Sequence, residues 1–130
     1  MQQQIQFYEQ KLSYEIDSSD LYKAIENNSD YVIIDTRQPS GYEKEHIPGA
    51  VNLPHREMTE ETTRHFSKSK VYVCYCDGIG CNASTKGALA MTKLGFTVKE
   101  LIGGIVWWKL DGYTTEGSHQ TVSPTLGCTC

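Results

Sequence analysis

Three of the five cysteines of this 130-residue chain fall close together, at Cys74, Cys76 and Cys81. Cys76 ends an apolar run that starts at Val71. The loop Asp77-Gly78-Ile79-Gly80-Cys81-Asn82-Ala83-Ser84 follows and opens a helical pattern. A thiol delivered to that point faces a helix N-terminus, where unpaired N–H groups and the positive end of the dipole favour thiolate over thiol. An ordinary cysteine, with a pKa of about 8.5, is mostly protonated at neutral pH, whereas one held in such a cradle is a standing nucleophile. Gly78 and Gly80 add to this reading, because residues without side chains let several N–H groups converge on one anion. The competing reading makes Cys76 a buried small apolar residue, a common fate for cysteine.

Cys81 places a second thiol in the same loop. It could attack Cys76 once that residue carries a sulfur atom or a sulfenic acid, releasing sulfide or closing a disulfide, which is the work of a resolving cysteine. It could equally pack under the loop as an apolar filler, or be the nucleophile itself; the register of the strand favours Cys76. Cys74 lies inside the strand and reads as core. Cys128 and Cys130 could chelate a metal or accept sulfur, but they follow Ser118–Thr125 at an extreme terminus that is expected to be mobile. His46, His55, His65 and His119 lack ligand spacing with one another, so neither a metal site nor a cofactor is expected.

The formal net charge of −4 provides no electrostatic footprint for nucleic acid, and basic stripes are missing from the sequence. No apolar run approaches a membrane span, and Met1–Gln10 has neither the charged nor the greasy region of a signal peptide. An odd number of cysteines in two clusters does not read as a secreted disulfide framework. These features together predict a cytoplasmic protein with free or redox-active thiols and no membrane or nucleic-acid partner.

The elements that must position Cys76 alternate in type. Lys11–Ile16 reads as a short strand, and Asp17-Ser18-Ser19-Asp20 supplies N-caps for a helix over Leu21–Asn27. Asn28-Ser29-Asp30 reads as a turn. Tyr31–Asp35 and Val71–Tyr75 are nearly continuous apolar runs of the kind that parallel strands show when both faces are buried. Between them, Gln38-Pro39-Ser40-Gly41 caps a short helix near Tyr42–Glu45. The segment His46–Ala50 then turns into a strand over Val51–Leu53, and Glu57–Phe66 reads as a charged helix. Ala83–Leu94 is a helix ended by Gly95, and Val98–Ile102 a further strand. Gly103-Gly104 turns into Ile105–Leu110, whose two tryptophans are expected to pack on the sheet. The alternation predicts an α/β domain with a mainly parallel central sheet and helices on both faces. Ligands of such sheets sit beyond the carboxyl ends of the strands, where Asp35 and Cys76 both fall. Residues 1–10 read as an N-terminal extension, 11–117 as the domain and 118–130 as a tail.

Several segments coincide with one family. Asp35-Thr36-Arg37, Tyr42-Glu43, His46-Ile47-Pro48-Gly49-Ala50-Val51-Asn52-Leu53-Pro54, Val73–Cys76, Leu94-Gly95-Phe96 and Leu101-Ile102-Gly103-Gly104-Ile105 with Trp108 occur in the expected order from about Lys11 to about Tyr113. Taken together, this pattern resembles the rhodanese (sulfurtransferase) family. The resemblance implies a single rhodanese-like domain in which Cys76 takes the place of the catalytic cysteine that carries a persulfide. It implies transfer of a sulfane sulfur from a small donor such as thiosulfate to a thiophilic acceptor, a thiol or a protein. Asp35 and Arg37 take the place of a supporting pair. The chain departs from the family in its loop. Thiosulfate-using members carry an arginine and a serine after the cysteine, whereas Asp77–Ala83 contains no cation and begins with an acid. Rhodanese-fold phosphatases rely on a Cys-x5-Arg signature, and here the corresponding residue is Asn82. A second class of function is a non-catalytic module that binds a partner or senses redox state through Cys81. Such modules commonly lose the loop cysteine, and this chain retains it.

Overall fold

The two apolar runs become neighbouring strands. β2 (Tyr31–Asp35) and β4 (Val71–Tyr75) pair in parallel, with Tyr31 opposite Val71 and Asp35 opposite Tyr75. They form the centre of a five-stranded sheet that β1 (Glu15–Ile16), β3 (Val51–Asn52) and β5 (Thr97–Leu101) complete in the order β1-β5-β4-β2-β3, all pairs parallel. The computed structural model describes residues 1–27 and 30–120. The expected turn at Asn28-Ser29 and the thiols Cys128 and Cys130 lie outside the described residues.

Alternate residues of each central strand feed opposite cores, which explains why the runs are apolar throughout. Ile33, Val73 and Tyr75 point to one face and pack with Leu21, Ile47, Ile105 and Trp108. That face is covered by α2 (Ser18–Glu26), α3 (Pro39–Lys44) and α5 (Gly104–Leu110). Ile34, Tyr72 and Cys74 point the other way, against Met91 of α4 (Ala83–Lys93) and against Met58 and Leu53. A fully buried side chain such as Leu21 or Met91 contributes about 2 kcal/mol through the water it sheds. α4 lies so close to the end of β2 that a Cβ on Gly87 would stand 2.7 Å from the Thr36 methyl.

Three local expectations need correction. Lys11–Tyr14 is not strand: α1 (Gln2–Tyr14) absorbs it and the expected 1–10 extension, leaving only Glu15–Ile16 on the sheet edge. No residue of α1 is buried, and Ile5, Phe7, Tyr8, Leu12 and Tyr14 all remain exposed. It is held instead by a Lys11–Glu15 ion pair at 2.7 Å and by the Lys99 ammonium, which donates to the Ser13 carbonyl at its C-terminal end. Glu57–Phe66 forms a 3₁₀ turn at His55–Glu57 followed by hydrogen-bonded turns, because threonine hydroxyls take over the backbone. Thr62 Oγ1 donates to the Glu57 carbonyl at 2.6 Å and Thr63 Oγ1 to that of Thr59 at 2.7 Å. Only Trp108 packs on the sheet, with its indole N–H donating to the Thr114 carbonyl, while Trp107 is 47% exposed. Neighbours on a helix point about 100° apart, so both could not face inward.

The helix expected from Leu21 begins at Ser18, with the Asp17 carboxylate accepting from the Asp20 N–H at 2.8 Å. At the other end, the first residues of the expected tail are tied down. Ser118 N–H donates to the Glu43 carbonyl and His119 N–H to that of Lys44, beside a bridge between His46 and Glu116.

Candidate active site

Where β2 ends, Asp35 is fully buried and fully used. Arg37 binds it in bidentate fashion, Nε to Oδ1 at 3.0 Å and Nη2 to Oδ2 at 2.8 Å, and the Tyr75 hydroxyl donates to Oδ2 at 2.8 Å. The same hydroxyl accepts the Ile47 N–H at 3.0 Å. Arg37 also donates to the Glu45 carbonyl and lies over the Tyr75 ring. Burial works against the Arg37 charge, but the hydrogen bonds and charge of Asp35 outweigh it and hold its pKa above the ordinary value. Burial, and then the Asp35 charge, likewise push the Tyr75 hydroxyl upward. An ion pair this enclosed is a bracing device for the strand ends.

Next to it, Cys76 leaves β4 with a carbonyl that accepts from the Ile105 N–H at 3.0 Å. The Asp77 carbonyl accepts from the Val106 N–H at 2.9 Å, so the first turn of α5 pins the start of the loop. This contact is why Gly104 must be glycine: its φ is +60°, and a Cβ there would stand 2.3 Å from the Cys76 carbonyl oxygen. Cys76 itself is 2% exposed. Beyond it the loop turns outward. Asp77, Ile79 and Gly80 are exposed, and Cys81 N–H donates to the Gly78 carbonyl at 3.1 Å. Cys76 and Cys81 are joined by a disulfide, with Cα atoms 6.3 Å apart.

Asn82 is the N-cap of α4, Ala83 its first residue, and Ser84 is buried in its first turn. The hydroxyls of Ser84 and Thr85 both donate to Glu100 Oε2 of β5, at 2.7 and 2.6 Å. These groups and Cys81 border a cleft of about 260 Å³, whose far wall is Lys11 and Glu15 at the end of α1.

The expected site residues are thus brought together. Asp35, Arg37 and Cys76–Ser84 meet at the carboxyl ends of β2 and β4, and Arg37 Nη1 reaches Asp77 Oδ1 at 3.2 Å. Burial, and then the nearby charges of Lys86 and Arg56, lower the His55 pKa. Cys74 is buried, and burial followed by the Glu100 charge pushes its thiol up to about 12, which removes it from nucleophilic chemistry at neutral pH. Sequence reasoning missed Tyr75, Glu100 and Gly104. Tyr75 carried a readable signal, a hydroxyl beside an expected catalytic residue in an otherwise apolar strand; Glu100 had none, since its partners lie fifteen and sixteen positions away.

Comparison with known proteins agrees with this fold. The chain is 34% identical over 93 residues to thiosulfate sulfurtransferase GlpE of Coxiella burnetii, covering 70% of this chain and 83% of that protein. It is 29% identical over 84 residues to an HTH-type transcriptional regulator of Mycobacterium tuberculosis; the match covers 65% of this chain but spans only 37% of the regulator's length. A crystal structure of a Bacillus halodurans protein superposes with a TM-score of 0.87 at 39% identity, covering 92% of this chain and 88% of the other. The rhodanese-like domain family matches residues 17–111, from the cap of α2 to the end of α5, and to that family the chain belongs.

Proposed function

We propose that the protein is a sulfurtransferase that carries a sulfane sulfur on Cys76. The observation that carries this reading is the position of Cys76 at the end of the central strand, between a braced ion pair and the N-terminus of α4, in a family that includes thiosulfate sulfurtransferases. In the reduced protein the Cys76 thiolate attacks the outer sulfur of a donor, and the donor's remaining group leaves with the bonding pair. A terminal persulfide anion remains on Cys76 beside the loop and helix amides. An acceptor thiolate then takes the outer sulfur and Cys76 returns as thiolate. Alternatively, Cys81 attacks Cys76 Sγ, hydrosulfide leaves, and the observed disulfide closes.

The cation that contacts the loop is Arg37, and the Asp77 carboxylate engages its outer edge. This arrangement disfavours a dianionic donor such as thiosulfate and fits a donor of lower charge. The acceptor is a thiol, free or on a protein; nucleic acid and membrane have no part in the reaction. Among the described residues no helix is long and apolar enough to cross a membrane. The reducing cytoplasm is the compartment in which reduced Cys76 would be maintained.

The disulfide favours one second reading, a redox-sensing module in which its closure is the signal. Intact-mass analysis of the reduced protein after incubation with sulfur donors separates the two. A gain of one sulfur atom that disappears in Cys76→Ser supports transfer, whereas no donor adding sulfur while peroxide still closes the bridge supports sensing.

A further inference from the structure

The two ends of the Cys76–Cys81 disulfide differ in access. Cys76 is 2% exposed, while Cys81 is half-buried and lines the 260 Å³ cleft, which Cys76 does not border. Thiol–disulfide exchange is decided by which sulfur a thiolate can reach and by how well the other sulfur leaves. Access selects the direction here: Cys81, which directly precedes the α4 N-cap Asn82, is the reachable sulfur, and Cys76 is the thiolate that leaves.

We propose that this cleft is a binding site for a low-molecular-weight zwitterionic thiol, which attacks Cys81 and returns Cys76 to its reduced form. The chemistry of the walls selects that class. Lys11 supplies an ammonium, paired at 2.7 Å with Glu15, and Glu100, the strand neighbour of Glu15, supplies a carboxylate whose Oε2 accepts from Ser84 and Thr85. A ligand carrying both a carboxylate and an ammonium, of the size of a cysteine-containing peptide's thiol end, matches both signs and the volume. Gly80 and the backbone of Gly78 leave the approach to Cys81 open. Lys11 and Glu15 precede residue 17, so this wall is built by α1 and the edge strand, outside the matched domain.

The exchange balances without another reagent. A first thiolate forms a bond to Cys81 Sγ as the Cys76–Cys81 bond breaks, and the electron pair goes to Cys76 Sγ. A second thiolate attacks the small thiol's sulfur in the mixed disulfide, and Cys81 leaves as thiolate. Two thiols become one disulfide, the protein gains two electrons, and the two protons released are available to the new thiolates. The use of this step in turnover rests on the reading of Cys76 as sulfur carrier, but its direction rests on access alone.

The test oxidises the full chain with diamide, adds glutathione as the probe, quenches with acid and maps both cysteines. Glutathione on Cys81 with Cys76 free is the expected result; glutathione on Cys76, or on both equally, overturns the proposal. In a second arm, Lys11→Glu should slow reduction by anionic glutathione about threefold while leaving reduction by cationic cysteamine as fast or faster. Equal slowing of both reagents, or of neither, also overturns the proposal. If sulfur donors never load Cys76 while glutathione still goes to Cys81, the sulfurtransferase reading fails and the cleft stands; the reverse pattern fails the cleft alone.

Discussion

β2 and β4 end side by side, with Asp35 opposite Tyr75, yet the residues that follow them are treated in opposite ways. After β2, every polar atom of the Asp35 carboxylate is spent on protein partners, Arg37 and Tyr75. After β4, the chain is pinned for two residues by α5 and then opens into an exposed loop closed by the Cys76–Cys81 disulfide. Charge is enclosed after β2, and after β4 stands a sulfur pair with one member buried and the other half-buried. Adjacent strand ends thus differ in enclosure, and they are joined by the Tyr75 hydroxyl on Asp35, by Thr36 on the Tyr75 carbonyl and, at the exposed rim, by Arg37 on Asp77.

The sharpest way to break the comparison is to remove the braced side. Asp35→Ala leaves the Arg37 guanidinium, 12% exposed, without its main partner and strands the Tyr75 hydroxyl. Breaking an enclosed pair in this way costs about 3–5 kcal/mol. Urea unfolding should show the corresponding drop in midpoint, and a loss below about 1 kcal/mol would mean that Asp35 is not the keystone of the strand ends.

Next in size is Gly104→Ala, which attacks the pin of α5 on the start of the loop after β4. The added methyl would meet the Cys76 carbonyl at 2.3 Å in a backbone conformation with φ of +60°. A loss of roughly 1–3 kcal/mol is expected. The iodoacetamide labelling rate of Cys76 in the reduced variant should change as well, because the loop start is displaced. A variant with unaltered stability would show that α5 can shift without disturbing the loop.

This asymmetry also decides what could be read in advance. The braced side was legible because its strands are buried on both faces, and Ile33-Ile34-Asp35 and Val73-Cys74-Tyr75-Cys76 show that in their composition. The α2 cap was legible because Asp17 acts three residues from its partner. α1 was not, since Gln2–Tyr14 buries nothing and is secured by Lys99, 86 positions from Ser13. The Glu57–Phe66 segment misled because propensity was weighed without the threonine hydroxyls that compete for the backbone. At the site, the Cys76–Cys81 pairing was open to local reasoning at a separation of five, but the Arg37–Asp77 contact spans 40 positions and depends on strand order. Local pattern therefore picked out the candidate residues, and only the sheet topology revealed which of them contact each other.

A smaller effect separates the cysteines. With its thiol pushed up to about 12, Cys74 should stay unlabelled by iodoacetamide at neutral pH in the reduced, folded protein, while Cys76 and Cys81 react. The same displacement has a sign in alkali. The unfolded chain releases the Cys74 proton near its ordinary value of 9 and the folded chain near 12, so between these the unfolded state binds fewer protons and stability falls as pH rises. The contribution is whole below pH 9 and is lost across that window, at about 1.4 kcal/mol per pH unit at most. Chemical unfolding of Cys74→Ala at pH 7 and pH 10.5 should give a shallower decline than the parent protein. An identical slope would assign the alkaline loss to other groups, Tyr75 first among them, whose hydroxyl is displaced in the same direction.

The smallest change probes the exposed contact between the two sides, Arg37 to Asp77. Asp77 is 69% exposed at its side chain, so its pair with Arg37 adds little to stability, and Asp77→Asn should alter unfolding by no more than about 0.5 kcal/mol. Its effect belongs to the donor. Removing one negative charge beside Cys76 leaves Arg37 Nη1 free to face an incoming anion, and the gain should scale with the anion's charge. Thiosulfate turnover, followed as kcat/KM, should rise a few-fold, with most of the rise lost at high salt because the site is open to screening. Turnover with an uncharged persulfide donor should stay level. A parallel rise with both donors would mean that the carboxylate acts on Cys76 itself, and no rise with either would place donor selection outside the Arg37–Asp77 contact.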